Sequence, residues 1–178
     1  NSIKINGGVY IGRYESSLSS SDVDTDGATG NIQSKRNILP VDSSKSGANM
    51  WYGLYAKQKE FASRLKGTTV KSTMIYGSMY DAVMNWALSD ENEKDKVTAN
   101  STERGSKQPT GTLESDKIKN IYDLGNNLYE WTAEAAYTSS RVSRGGNYNT
   151  TISPSVRHSY FNPVSTGSSY GSRLLLYL

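Results

Sequence analysis

This chain has no cysteine, and His158 is its one histidine. Without thiols it can form no disulfide, no thiolate metal site and no cysteine nucleophile. A lone imidazole cannot build a three-ligand transition-metal site, so His158 reads as an exposed or hydrogen-bonded side chain. What remains is the chemistry of recognition. Tyrosine occurs 13 times against 2 Phe, and its apolar ring with a polar tip suits half-wet surfaces better than dry cores. Binding surfaces combine such rigid amphipathic rings with adaptable Ser, Asn and Gly contacts. Between Asn147 and Tyr170 that mixture is offered by Tyr148, Asn149, Thr150, His158, Tyr160, Phe161, Asn162, Ser168, Ser169 and Tyr170, the candidate ligand-binding residues. Tyr160 and Tyr170 are the expected anchors, because buried aromatics dominate interface energetics.

The same stretch lies inside a compositional gap. From Tyr137 to Leu178, 42 residues, there is no Lys, Glu, Gln, Met or Trp. The preceding 136 residues hold 30 of these five types, so about nine would be expected in the gap and chance alone is a poor explanation for none. Elsewhere the composition is unremarked: 20 cations and 17 anions are interspersed, giving a net charge of +3 and no basic stripe for nucleic acid. No apolar run approaches the length of a membrane helix. A length of 178 residues suits a single domain, 1–178, with 147–170 as its candidate variable region. The chain begins with Asn rather than Met and shows no signal peptide, so it is expected to be the C-terminal part of a longer protein.

Local patterns place the elements that must hold this surface. Lys4–Asn6 and Val9–Tyr14 read as short strands joined across Gly7-Gly8. From Glu15 to Gly47 the chain is rich in Ser, Asp and Gly and is expected to be loop, pinned by Ile38, Leu39 and Val41. Met50 to Leu65 has Trp51, Leu54, Tyr55, Phe61, Ala62 and Leu65 near one face at helical spacing, and Gly67 stops it. Val70 to Tyr76 reads as a strand. Ser78 is expected to cap a second helix to Leu88, with Asp81 in its first turn and Tyr80, Val83, Met84 and Ala87 for the core. Ser89 to Lys117 is polar and is expected to be loop.

The motifs of the last third carry a resemblance. NIYDLGNNLYEWT (Asn120–Thr132), Arg144-Gly145-Gly146 and Gly171-Ser172-Arg173 resemble the formylglycine-generating, sulfatase-modifying enzyme family, whose pattern runs G-[LI]-Y-D-[ML]-x-G-N-V-W-E-W-T, then R-G-G-S-[WY], then G-F-R. Tyr122, Asp123, Leu124, Asn127, Glu130 and Trp131 match as they stand. Leu128 and Tyr129 are conservative replacements, Ser172 stands for Phe, and Asn126 stands where the family has a Gly, a position where Asn tolerates positive φ. The resemblance implies an α+β, C-type-lectin-like fold: two helices against small twisted antiparallel sheets, with long irregular loops.

The family's chemistry does not come with that fold. Oxygen-dependent formylglycine formation rests on a cysteine pair, and a related iron-dependent branch needs several histidines. A second branch, the variable proteins of diversity-generating retroelements, is more similar. In those systems adenines of a C-terminal repeat are replaced, chiefly in asparagine AAY codons, and the resulting codons can never encode Lys, Glu, Gln, Met or Trp. These are the five missing types. The resemblance therefore implies a non-catalytic domain that binds a protein or glycan ligand on a cell surface, without nucleic acid or membrane insertion, displayed on a phage tail or bacterial surface. The alternatives are a formylglycine-generating-like enzyme or degenerate relative, and a structural surface or tail-fibre module. No cofactor is required. The family does bind calcium beside this motif; carried over by position, Asp123 and Glu130 would give side-chain oxygens and Asn126 and Leu128 backbone carbonyls, a set that with water suits Ca²⁺. Arg144, Arg157 and Arg173 are expected to donate to loop carbonyls through their planar forks.

Overall fold

The C-terminal strand is the centre of one sheet, which explains why Leu174, Leu175 and Leu176 run together. A computed structural model describes residues 8–19, 30–43 and 51–178. In it β1 (Val9–Ile11) and β4 (Lys71–Met74) flank β9 (Leu174–Tyr177), both antiparallel to it, with Ile11 and Thr73 opposite Leu175. Successive residues of a strand point to opposite faces, and Leu174 and Leu175 are both buried, so both faces of the strand are covered there. The expected Lys4–Asn6 strand lies outside the described residues. Among the described residues β1 pairs with β9, and the strand stops at Ile11.

The segment expected to be loop contains a second small sheet. Strands β2 (Ser16–Leu18) and β3 (Ile32–Ser34) pair antiparallel, with Leu18 opposite Ile32. Of the three expected pins, Val41 is buried whereas Leu39 is exposed. Leu18, Ile32 and Val41 pack with Trp51, Leu54, Met74 and Trp131 into one core cluster.

Helix α1 (Trp51–Glu60) continues as a 3-10 turn, Phe61–Arg64, and Gly67 at φ +74° ends the run. Its buried face is Trp51, Leu54 and Gln58, while Tyr55 and Phe61 are half-buried. Helix α2 (Gly77–Leu88) buries Tyr80, Val83, Met84 and Ala87 as their spacing requires. Ser78 is not its cap: Tyr76 occupies that position with extended backbone and makes no side-chain cap bond. Asp81 falls outside the first turn and instead pairs with Arg144 at 2.8 Å. The polar stretch after it holds a short helix, α3 (Lys94–Thr98), and a 3-10 turn, Glu114–Asp116. Val97, Ile118, Ile121 and Leu124 join the α2 face in a second core cluster.

The last sheet has four strands in the order β7-β6-β5-β8. Strands β5 (Tyr129–Tyr137) and β6 (Ser140–Arg144) form a bulged hairpin, and β7 (Arg157–Phe161) adds antiparallel to β6. The fourth strand, β8 (Tyr170–Ser172), runs parallel to β5, with Tyr129 opposite Tyr170. The candidate variable region thus follows β6, contributes strand β7 to the same sheet and ends on β8.

Candidate functional site

The period-2 alternation of a strand puts Tyr129 and Trp131 on one face of β5. Neighbouring strands add three more rings there. Tyr170 of β8 stacks on Trp131 at 5.1 Å and lies 5.2 Å from Tyr129, while Phe161 of β7 meets Tyr170 edge-on at 4.8 Å. His158 of β7 meets Tyr129 edge-on at 4.9 Å. Between them in register stands Ser143 of β6, opposite both Trp131 and His158, too small to separate the rings. Trp131 is buried; Tyr129, His158, Phe161 and Tyr170 are half-buried. The result is a half-buried aromatic platform seated on a buried indole, with Phe161 and Tyr170 packed against the core cluster that holds it.

Two polar contacts fix its chemistry. The His158 ring donates through Nε2 to the Gly145 carbonyl at 3.0 Å, which assigns the tautomer and leaves the imidazole no metal role from that nitrogen. Burial, and then the proximity of Tyr129, push the Tyr170 phenol up to about 12, so it stays a neutral donor at physiological pH. Beside it, Tyr148 and Ser168 share a hydroxyl hydrogen bond of 3.1 Å. Hydrogen bonds from Ser168 and then Ser169 hold the Tyr148 phenol below its ordinary value.

The remaining candidates are placed differently. Thr150 Oγ1 accepts from the Asn147 backbone N–H at 2.8 Å, and Asn162 Oδ1 accepts from that of Val164 at 3.1 Å, so both side chains close turns. Asn149 is exposed on the first of these turns. Tyr160 lies on β7, and its side chain is outside the described atoms. Platform members Tyr129 and Trp131 were not among the sequence candidates. Their signal was the Tyr-x-Trp alternation within the motif, which marks two side chains sharing a face.

The carboxylates named for calcium are committed elsewhere. Arg173 Nε lies 3.0 Å from both oxygens of Glu130, its Nη2 bonds Glu130 Oε1, and neither side chain has exposed surface. Asp123 Oδ1 accepts from Arg104 Nη2 at 2.8 Å, and Oδ2 accepts from Thr110 Oγ1 at 2.6 Å and the Gly111 N–H at 2.8 Å. The Asn126 carbonyl accepts from the Leu128 N–H at 3.0 Å. An ion among these groups would face two guanidinium cations and displace existing donors, so the set as arranged does not fit calcium. Among the described residues, no three His, Cys, Asp or Glu side chains converge to hold a metal. The positive φ expected at Asn126 falls on Asn127, at 71°, and on Asp123, at 64°.

The arginines divide. Arg173 donates to the Gly12 carbonyl at 2.8 Å and the Tyr122 carbonyl at 2.7 Å, as expected of a loop-holding fork. Arg157 pairs with Glu134 at 2.5 Å, and Arg144 with Asp81, so these two answer carboxylates. Gly145 sits at φ +70°, and a Cβ there would run into the Leu124 carbonyl oxygen. That close approach explains the glycine of the R-G-G motif and fixes the start of the candidate variable region.

No protein-family model and no curated protein matches this sequence. Solved structures do. PvdO from Pseudomonas aeruginosa superposes with a TM-score of 0.56 at 18% identity, over 94% of this chain and 80% of its own. Treponema denticola variable protein 1 gives a TM-score of 0.53 at 16% identity, over 89% of this chain and 77% of its own. The P3c variant of the Major Tropism Determinant gives 0.60 at 15% identity, over 96% of this chain and 50% of its own, so this chain spans half of that protein. At such identities the likeness establishes the fold. It is the α+β, C-type-lectin-like fold shared by formylglycine-generating-enzyme-like proteins and the variable proteins of diversity-generating retroelements.

Proposed function

We propose that this chain is the ligand-binding domain of a diversity-generating retroelement's variable protein, a non-catalytic module that recognises a protein or glycan on a cell surface. Display on a phage tail or bacterial surface is part of the same proposal. The observation that supports it is the coincidence of the compositional gap with the platform. Residues 147–170 run from the end of β6 through strand β7 to β8, and they supply His158, Phe161 and Tyr170 to a half-buried aromatic surface. Half-buried rings on a rigid sheet present contact area at low entropic cost. Recognition then proceeds without covalent chemistry, and display in several copies would raise its strength by avidity. No helix among the described residues is long and apolar enough to cross a membrane.

The deciding experiment is to sequence the DNA around the gene. A near-copy of its 3′ end, differing where the copy carries adenine and chiefly at codons 147–170, beside a reverse-transcriptase gene, is the expected result. Its absence would reduce the compositional gap to an accident of loop and strand usage, and the diversified reading would fail. Names among the structural neighbours, "variable protein" and "tropism determinant", support the proposal by analogy of fold.

A further inference from the structure

Beyond Phe161 the platform face of the last sheet continues onto a cation. Arg141 of β6 is the cross-strand partner of Phe161, so the two side chains share that face. Its guanidinium lies over the Trp51 indole, 4.6 Å from the ring centre. That indole is itself fixed: it is buried, its Nε1 donates to the Thr132 carbonyl at 2.8 Å, and Tyr55 stacks on it at 4.8 Å. Tyr52, half exposed, meets it edge-on at 5.1 Å. The three arginines of β6 and β7 are thus used differently. Arg144 and Arg157 answer Asp81 and Glu134, whereas Arg141 pairs with no carboxylate among the described residues. Its Nη1 donates to the Ser140 carbonyl at 3.1 Å; Nε and Nη2 have no partner there and, unlike the Nε of Arg144, are not closed off from solvent.

A guanidinium held over a fixed indole by cation–π attraction is preorganised, so less freedom is lost when it is used. Its open donors form a planar fork, which fits an oxyanion. Charge selects the group: one unanswered cation matches the single charge of a carboxylate and would leave a phosphate dianion half answered. Extent selects the molecule. His158, Tyr129, Tyr170 and Phe161 follow one another at 4.9, 5.2 and 4.8 Å before Arg141 is reached. Such a row is longer than one sugar ring, and aromatic residues with Arg are the types enriched at the cores of protein interfaces. We propose that this face binds a protein segment that sets an Asp or Glu carboxylate on Arg141 and a neighbouring apolar side chain on Phe161 and Tyr170. Arg141 precedes residues 147–170, so diversification there would leave it in place as the shared contact of every version. The inference deepens the platform reading and rests on it.

The test is selection of a displayed library of random dodecapeptides on the whole chain. Selected peptides are expected to be enriched in Asp or Glu next to an aromatic or aliphatic residue. For the tightest of them, replacing the acid by its amide should weaken binding to the wild type about tenfold. The same exchange should make no difference to Arg141→Gln. If that variant does not fold, as judged by circular dichroism, Arg141→Lys takes its place: it keeps the charge but loses the fork, and should shrink the acid preference severalfold. An empty selection, peptides without an acid, or an acid preference that the Arg141 variant leaves unchanged overturns the proposal. Peptides that bind without an acid would leave the platform reading intact, and that reading stands or falls separately on the DNA around the gene.

Discussion

Arg173 and Glu130, separated by 43 residues in sequence, meet as a fork on a carboxylate with no solvent-exposed surface on either side chain. The pair ties the chain just before β9 to the start of β5. Through its other donors Arg173 also holds the Gly12 and Tyr122 carbonyls. Arg173→Met would strip Glu130 of its counter-charge in a dry site, and an expected loss of about 3–5 kcal/mol follows. Urea denaturation of that variant, of Glu130→Gln and of the double variant measures the coupling. A double variant no more stable than the sum of the single losses would show that the pair is not a unit.

Calcium should gain no hold at Asp123 and Glu130. Since Arg104 and Arg173 already answer Asp123 and Glu130, the thermal midpoint is expected to be the same in EDTA and in excess calcium. A rise on adding calcium, of the kind mass action gives for a ligand of the native state, would refute the arginine assignment.

Glu15 supplies a pH dependence. Its carboxylate is fully buried and accepts from the Asn127 side chain and from the Leu128 N–H at 3.0 Å. Burial first, and then the charges of Asp123 and Glu130, push its pKa well above the usual carboxylate range. The native state therefore holds a proton that the unfolded chain has released, and stability falls as pH rises from the ordinary carboxylate value through the raised one. Glu15→Gln is expected to flatten that decline. The measurement is the thermal midpoint of both proteins from acid to neutral pH; equal slopes would remove Glu15 as the cause.

Substitutions on the two sides of the platform should differ sharply. Asn149 and Ser168 are exposed, so Asn149→Tyr and Ser168→Tyr are expected to change stability by about 0.5 kcal/mol or less. Trp131 is completely buried beneath Tyr170 and Phe161, and Trp131→Ala should cost about 3–5 kcal/mol. Denaturant midpoints of the three variants decide; comparable losses in all three would mean that the candidate variable surface is part of the core.

Both main helices and the core face of α2 follow from patterns that a single sequence carries: helical spacing and a stopping glycine. What sequence did not disclose was of longer range. The β2–β3 pair is two three-residue strands in a Ser-rich stretch, and their apolar partners are far away in the chain. Gln58 reads as a solvated residue on a helix, yet it is buried and donates to Ser16 Oγ at 2.8 Å and Ser172 Oγ at 2.7 Å. Its presence accounts for a serine where the family pattern has Phe, an exchange that local reasoning sees as a loss of packing. Arg104 sits in a polar segment with no periodicity, and nothing nearby in sequence points to Asp123. The aromatic platform was half legible, because the variable-region rings were visible by type and their fixed partners by motif, but their meeting depends on the parallel β5–β8 pairing.

That parallel pairing bears on evolvability. With Gly145 wedged against the Leu124 carbonyl at one end and Tyr170 to Ser172 registered on Tyr129 to Trp131 at the other, residues 147–170 form a cassette of constant span. The loop-closure entropy depends on length and end-to-end distance, so exchanging side chains inside the cassette leaves it unchanged. A side chain exchanged there would be tested by what it touches, while Gly145 and the β5–β8 pairing hold the ends of the span.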